Sequence, residues 1–369
     1  MSLYASQRPW PAYLGCWLVN RCQILYTVLF LPRWIGTPDQ LWVIPAVALL
    51  SILNLRLLAG WLRTEQAAKG YDGFVELFGE TPVRLFAGLG VPLLSFECCT
   101  VTLGYAKTVS HTLFPTVSDL TFAVLILAGA VYLAAYGMSA TGSFSLIAFL
   151  GSIWILIFYF QFFTIKDIDI HYLYPLLETP DPVRLFPTAV AIWAAYAGPE
   201  LLAFTGKWFG ERDRLFRWFA LGNALTCFEY VLLTVVSFLF FGESFLERVD
   251  QPVVYLIRYI ELPFFERLEI LIVSFYMFPF LFHSAFSLLL LAGAVRIAAG
   301  LRTPPGRATV LGCAVLAAAV VFFVHRFVFV SETGRDDWTK AFITAAGIHY
   351  AVLPTVLWTA ARLKRRRGT

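Results

Sequence analysis

Apolar residues run along this chain in long blocks separated by short polar connections. A bilayer-spanning helix needs about 20 mostly apolar residues. Stretches of that kind fall at 11–32, 41–61, 85–106, 119–137, 143–163, 186–205, 216–241, 270–295, 308–330 and 341–361. Three connections are long enough to fold by themselves. Residues 64–84 read as a short amphipathic helix on one membrane face. Residues 164–185, with three prolines, read as a loop on the other face. Residues 242–269 form the longest connection on that other face, with an interfacial helix expected from Val253 to Ile260 and aromatic anchors at Tyr255 and Tyr259. Met1 to Trp10 has no basic segment followed by a short apolar core and a cleavage site, so the first stretch is expected to be retained.

Composition strengthens this pattern. Apolar residues make up 59% of the 369, charged residues 14%, and mean hydropathy is +0.73. A soluble domain carries roughly 25% charge, and a disordered chain needs low hydrophobicity, so both classes are excluded. The expectation is an all-α integral membrane protein with ten transmembrane helices, one polytopic domain over 1–369. Cys16, Cys22, Cys98, Cys99, Cys227 and Cys313 all fall in apolar runs and read as small buried hydrophobes. No zinc spacing occurs, and neither a metal nor a cofactor is implied. The net charge of +4 is concentrated in the tail, Arg362, Lys364, Arg365, Arg366 and Arg367. That tail reads as a cytoplasmic membrane flank, not a nucleic-acid site. With the N-terminus inside, 17 lysines and arginines fall on inside segments and 10 on outside ones, which puts both termini in the cytoplasm.

The segment with most chemistry is the sixth stretch, FPTAVAIWAAYAGPELLAFTGKW, with Gly198 and Pro199 at its middle. Proline lacks an N–H and clashes with the preceding turn, while glycine tolerates unwound backbone. A plain proline kink would satisfy the pattern. A helix broken from Tyr196 to Glu200 and lining a cavity is the functional reading, because non-helical backbone at membrane depth is tolerated only where it is buried or faces a cavity. Glu200 favours the second reading, since acids at this depth usually have a function. The first stretch holds a second polar cluster, Asn20, Arg21 and Gln23, and ends at Pro32. Arg21 needs a partner, and Glu97, Glu200 and Glu229 are the available acids. It could fix helix packing through such a pair, or line the cavity of the sixth-stretch break. Two polar-interrupted stretches five spans apart point to an inverted-repeat transporter fold with a midplane site, the halves covering about 11–163 and 186–361.

Other positions read as structural. Glu266 and Glu269 suit a helix N-terminus, and His283 and His349 suit hydrogen-bonded packing. No phosphate-binding, nucleophile-elbow or zinc-protease motif occurs, so catalysis has no support and the chain is expected not to be an enzyme.

Several segments resemble one family. Gln251 to Ile260, followed by Glu266–Arg267–Leu268–Glu269, is similar to the stretch before span eight in spore germination receptor B subunits, of the amino acid–polyamine–organocation superfamily. Asp39–Gln40–Leu41–Trp42 resembles that family's Asp-x-Trp region. Asp167–Ile168–Asp169 with Tyr172 to Leu177 resembles its loop before span six, and Gly198–Pro199–Glu200 its span-six break. The resemblance covers the whole chain. It implies a LeuT-like five-plus-five inverted repeat with helix 6 broken, and a subunit that binds a nutrient germinant, a small amino acid or a similar nutrient. It also implies partner A and C subunits in the spore inner membrane, in contact with lipid and without nucleic acid. The family's first span carries a glycine-rich break, and here the corresponding positions are Leu25, Tyr26 and Thr27. Either this span is continuous, or Asn20 to Gln23 marks its break.

These readings converge on a ligand site between spans 1, 3, 6 and 8. It would be built from Gln23 and Tyr26, Glu97 and Thr100, the unwound Tyr196, Ala197, Gly198, Pro199 and Glu200, and Tyr276. An intramembrane charge network of Arg21, Glu97, Glu200 and Glu229 is expected beside it. The Ala195 carbonyl, freed by Pro199, would accept a ligand ammonium, and N–H groups after the break would meet a carboxylate. Glu200 would then pair with Arg21, hold the ammonium or be protonated. The alternatives are a cation-coupled amino acid transporter and a purely structural membrane scaffold.

Overall fold

The computed structural model describes residues 3–4, 9–164, 168–176, 182–246, 248–249, 251–260 and 267–367. These form helices α1 (Leu14–Gln23), α2 (Leu31–Ile35), α3 (Val43–Leu62), α4 (Glu65–Lys69), α5 (Tyr71–Phe78), α6 (Glu80–Leu113), α7 (Asp119–Ala134) and α8 (Met138–Ile153). They continue with α9 (Leu156–Tyr159), α10 (Pro182–Ala195), α11 (Leu215–Phe241), α12 (Glu243–Leu246), α13 (Pro252–Ile257), α14 (Leu268–Ala298), α15 (Arg307–Phe323) and α16 (Glu332–Arg367). Among the described residues, eight helical segments are long and apolar enough to cross a membrane, and α7 is a shorter apolar helix. The stretch expected at 11–32 is not a single helix, because α1 stops at Gln23 and a 3₁₀ turn, Tyr26–Leu29, leads into α2.

Both breaks have local causes. In the first, Ile24 and Leu25 leave the helix at φ −85° and −134°, both negative, so no glycine is needed there. In the sixth stretch, α10 ends at Ala195 and a 3₁₀ segment, Pro199–Thr205, follows. Gly198 between them takes φ +118°, outside the range of ordinary L-residues. The chain is therefore unwound at 196–198, the place that Gly198–Pro199 indicated.

The long helices pack around α14, which lies along α6, α7 and α8, while α11 packs on α1 and α3, and α16 on α3 and α10. Buried apolar residues fall into two clusters, and α3 and α11 pass from one to the other. On α3, for example, Val43 to Ala48 belong to one cluster and Leu55 to Leu62 to the other. Buried polar residues sit between them: Asn20, Arg21 and Gln23 from α1, Ser51 and Asn54 from α3, and Asn223, Thr226 and Glu229 from α11. The bundle has a polar waist at the depth where α1 breaks.

The first and last described segments lie on one face, Trp10 beside Trp208 and Lys364 beside Glu76. The Trp10 N–H donates to the Trp208 carbonyl (2.6 Å) and the Gly210 N–H to the Trp10 carbonyl (3.1 Å). Arg63, just after α3, reaches the carbonyls of Arg212 and Asp213. The 64–84 connection is two short helices, α4 and α5, instead of one, since Gly70 turns the chain at φ +60°. Residues after Gly79 already belong to α6. On the other face the interfacial helix expected at Val253 to Ile260 is α13, shorter by a turn. Glu266, Asp167 and Leu177 lie outside the described residues, and Glu269 accepts from the Arg267 Nε at 2.9 Å.

The α4–α5 hairpin is tied to the last helix through Glu76, whose carboxylate binds Lys69 Nζ (2.7 Å) and Lys364 Nζ (3.0 Å). These two ammonium groups lower the Glu76 pKa from 4.5 to about 2. A depressed acid contributes stability that is complete above its ordinary pKa and is lost as pH falls through the lowered one. The clamp should therefore hold at pH 6 and loosen between about pH 4.5 and pH 2. Glu76→Gln should loosen it at all pH values. Hydrogen exchange of 65–78 and 358–367 should accelerate in the variant at pH 6, while the core of α14 stays protected.

Candidate functional site

At the polar waist, Arg21 is fully buried and every part of its guanidinium has a partner. Its Nη2 donates to both oxygens of Glu229 (2.8 and 3.1 Å), its Nη1 to Ser152 Oγ (2.6 Å) and its Nε to Asn20 Oδ1 (2.8 Å). The ring of Phe149 lies 5.3 Å from the guanidinium carbon. Asn20 Nδ2 closes the group by donating to Glu229 Oε1 (2.8 Å) and Thr226 Oγ1 (3.0 Å). Arg21 thus ties α1 to α8 and α11. Its acid is Glu229, not Glu200, because the side chains of α1 and α11 face each other here. The expected network of four charged residues is in fact one Arg–Glu pair and two separate glutamates.

Those two glutamates each meet a histidine. Glu97 Oε1 on α6 lies 2.8 Å from His283 Nε2 on α14. Glu200 Oε1 lies 3.3 Å from His349 Nδ1 on α16. The second oxygen of Glu200 accepts the Gly198 N–H at 2.6 Å, so this carboxylate caps the break that precedes it. Both glutamates and both histidines line one cavity of about 740 Å³. The cavity runs from the face that carries the termini, at Tyr4, Lys69, Lys207 and Arg302, to the two helix breaks at Cys22, Gln23, Leu25, Ala197 and Gly198. Beyond the breaks the second apolar cluster fills the bundle.

The freed backbone is largely satisfied by protein. The Tyr230 hydroxyl lies 2.8 Å from the Gln23 carbonyl and 2.7 Å from the Ala195 carbonyl, the last residues of α1 and α10. The single O–H proton of this buried hydroxyl is thus shared between the ends of both half-helices, and the Ala195 carbonyl already has a protein donor where a ligand ammonium was expected. Gln23 Nε2 donates to the Tyr196 carbonyl (3.1 Å) and to Asn223 Oδ1 (3.0 Å), and Asn223 Nδ2 donates to the Ala48 carbonyl (3.1 Å). The two breaks touch directly. A Cβ on Gly198 would lie 2.5 Å from the Cys22 carbonyl oxygen.

Of the expected ligand residues, Gln23, Glu97, Ala197, Gly198 and Glu200 form part of the cavity wall, and Thr100, Tyr196, Pro199 and Tyr276 do not. Thr100 Oγ1 donates to the Phe96 carbonyl (2.8 Å) and accepts from Trp338 Nε1 (2.9 Å). Tyr196 packs edge-on against Tyr230, and Tyr276 against Phe280. Tyr26 begins the 3₁₀ turn, and its side chain lies outside the described residues. The wall also takes in α16, through Phe342, Ala345, Ala346 and His349, which the sequence reading left out. His283, His349 and Tyr230 were legible only as polar residues in apolar stretches, since their partners come from helices distant in sequence.

Comparison with known proteins fits this geometry. The sequence profile of a family described as "Spore germination protein" matches residues 14–326. The chain belongs to the spore germination protein family. No curated protein sequence matches it. Among solved structures, MhsT in complex with L-phenylalanine aligns at TM-score 0.70 with 12% identity, covering 95% of this chain and 89% of that one. Mhp1, a nucleobase-cation-symport-1 family transporter with bound bromovinylhydantoin, aligns at 0.67 with 14% identity, covering 98% and 80%. A Na⁺-coupled sialic acid symporter in a substrate-bound outward-open state aligns at 0.66 with 13% identity, also covering 98% and 80%. At such identities the likeness shows the fold alone. This germination protein has the LeuT-type transporter fold, with its helix breaks and cavity arranged as described above.

Two substitutions test the waist. Removing one partner of a buried ion pair costs about 3–5 kcal/mol, whereas replacing both with apolar groups is often neutral. Arg21→Met should therefore destabilise strongly, and Arg21→Met with Glu229→Leu should recover most of the loss in thermal unfolding of detergent-purified protein. Tyr230→Phe strands carbonyls of two half-helices and should cost about 1–3 kcal/mol, despite removing one oxygen atom.

Proposed function

We propose that this protein is the nutrient-sensing subunit of a spore germination receptor. A small amino acid or similar nutrient would enter the cavity and bind against the two helix breaks, and partner A and C subunits would read out the resulting change of conformation. The observation that carries this reading is the cavity of about 740 Å³ whose inner end is built from both breaks and two Glu–His pairs. Small-molecule sites are typically about 300–1,000 Å³, apolar, with a few convergent polar groups. Ligand binding can drive signalling only through different affinity for two states, and a cavity shared by α1, the 196–198 break, α6, α14 and α16 gives such states different walls.

In this reading the protein sits in the spore inner membrane with both termini cytoplasmic. The cavity then opens inward, toward the face rich in lysine and arginine. Residues 11–163 and 186–361 are its two repeats. The alternative, a cation-coupled amino acid transporter, shares the fold, and the structural neighbours include a nucleobase-cation-symport-1 family transporter and a Na⁺-coupled sialic acid symporter.

Ligand-dependent stabilisation of the purified protein is the first test, because a ligand at about 100 times its Kd adds about 2.7 kcal/mol. A receptor subunit should be stabilised by a nutrient yet show no gradient-driven uptake in proteoliposomes, and should co-purify with A and C subunits. Accumulation of the same nutrient under a sodium or proton gradient would replace the receptor reading with the transporter one.

A further inference from the structure

The Gly198 N–H is the donor that the unwound segment offers at its glycine, beside a residue, Pro199, that has none. In a broken membrane helix such a donor, at the positive end of the following segment, is where an anionic ligand group would be held. Here it is already taken. Glu200 Oε2 accepts it at 2.6 Å, with the side chain 3% exposed.

The rest of the inner wall has the same polarity. Glu97 lines the same cavity as Glu200 and is paired with His283. Gln23, 1% exposed and in the wall, has its Nε2 fully used on the Tyr196 carbonyl and Asn223, while its Oε1 has no partner among the described residues. That orphan oxygen is an acceptor. The cavity's basic residues, Lys69, Lys207, Arg296 and Arg302, stand at the mouth. The one arginine or lysine at the depth of the breaks among the described residues, Arg21, is outside the wall and committed to Glu229, Asn20 and Ser152. The inner end therefore presents two carboxylates, each held by one histidine, and among the described residues no arginine or lysine.

We infer that Glu200 fills with its own carboxylate the place a ligand carboxylate would take at the helix break, so that the site selects small organic amines over α-amino acids. This rests on the cavity being the ligand site, and narrows the chemical class it accepts. The ligand ammonium binds at the Glu200 and Glu97 carboxylates, and its apolar body lies against Leu25, Phe96 and Phe342. A carboxylate on the carbon next to the ammonium would be brought against two fixed acids, with the backbone donor already occupied.

The test uses matched pairs that differ only by that carboxylate: alanine and ethylamine, leucine and 3-methylbutylamine, phenylalanine and 2-phenylethylamine. Each is titrated into the full-length protein in nanodiscs and followed by calorimetry and thermal unfolding. At least one amine should bind ten-fold or more tightly than its amino acid. Glu200→Ala uncovers the Gly198 N–H and should shrink that ratio at least ten-fold, by gain of amino acid binding as well as loss of amine binding. If the wild-type protein binds the amino acid of every responsive pair as tightly as the amine, the inference fails and the receptor reading stands. The same holds if only sugars or nucleosides bind. If no nutrient of any of these classes binds, both fail. Should Glu200→Ala not fold, the wild-type pair ratios decide alone.

Discussion

Two helices of this protein stop in the middle of the bundle, and the backbone groups they release must find partners inside the protein. This requirement organises the centre of the molecule. Water is scarce at that depth, and an unpaired carbonyl or N–H costs several kcal/mol. Tyr230 answers it for the ends of both half-helices with one hydroxyl. Gln23 answers it for the Tyr196 carbonyl, and Glu200 for the Gly198 N–H. Because each of these side chains must come from a fixed helix at a fixed depth, the breaks dictate how α1, α10 and α11 are set against each other.

The polar waist follows from the same demand. Arg21 could not be carried on α1 without Glu229, Asn20 and Ser152 around it. The pair is a packing device in which charge fixes register, and its expense is offset by the number of hydrogen bonds it satisfies at once. Gly198 adds a steric constraint, since any side chain there would strike the Cys22 carbonyl. What remains for a ligand is the side of the breaks away from the second apolar cluster. There the chain leaves a cavity whose inner polar groups include two acids and two imidazoles.

Much of this was legible in the sequence, and the reasons are specific. Apolar runs of bilayer length located the long helices, because in lipid only hydrophobicity and length matter. Gly198–Pro199 located the second break because both residues act locally through the backbone. The first break was harder to read, since Ile24 and Leu25 leave the helix at negative φ and no glycine marks the place. Pairings were beyond reach. Asn20, Arg21 and Glu200 were visible as polar residues in apolar runs, but which acid meets Arg21 depends on how helices 200 residues apart are rotated. The same holds for His283 and His349, which read as packing residues and turn out to face the cavity with Glu97 and Glu200.

The central claim is that a small nutrient binds at the two helix breaks, from the cavity that opens on the face of the termini. A structure of the protein determined with a bound nutrient tests it most directly. The account predicts ligand density within hydrogen-bonding distance of Gln23, Glu97 or Glu200, in contact with the segment at 196–198. Density on the opposite face, among α12, α13 and the loop before α10, with the central cavity unchanged, would contradict it.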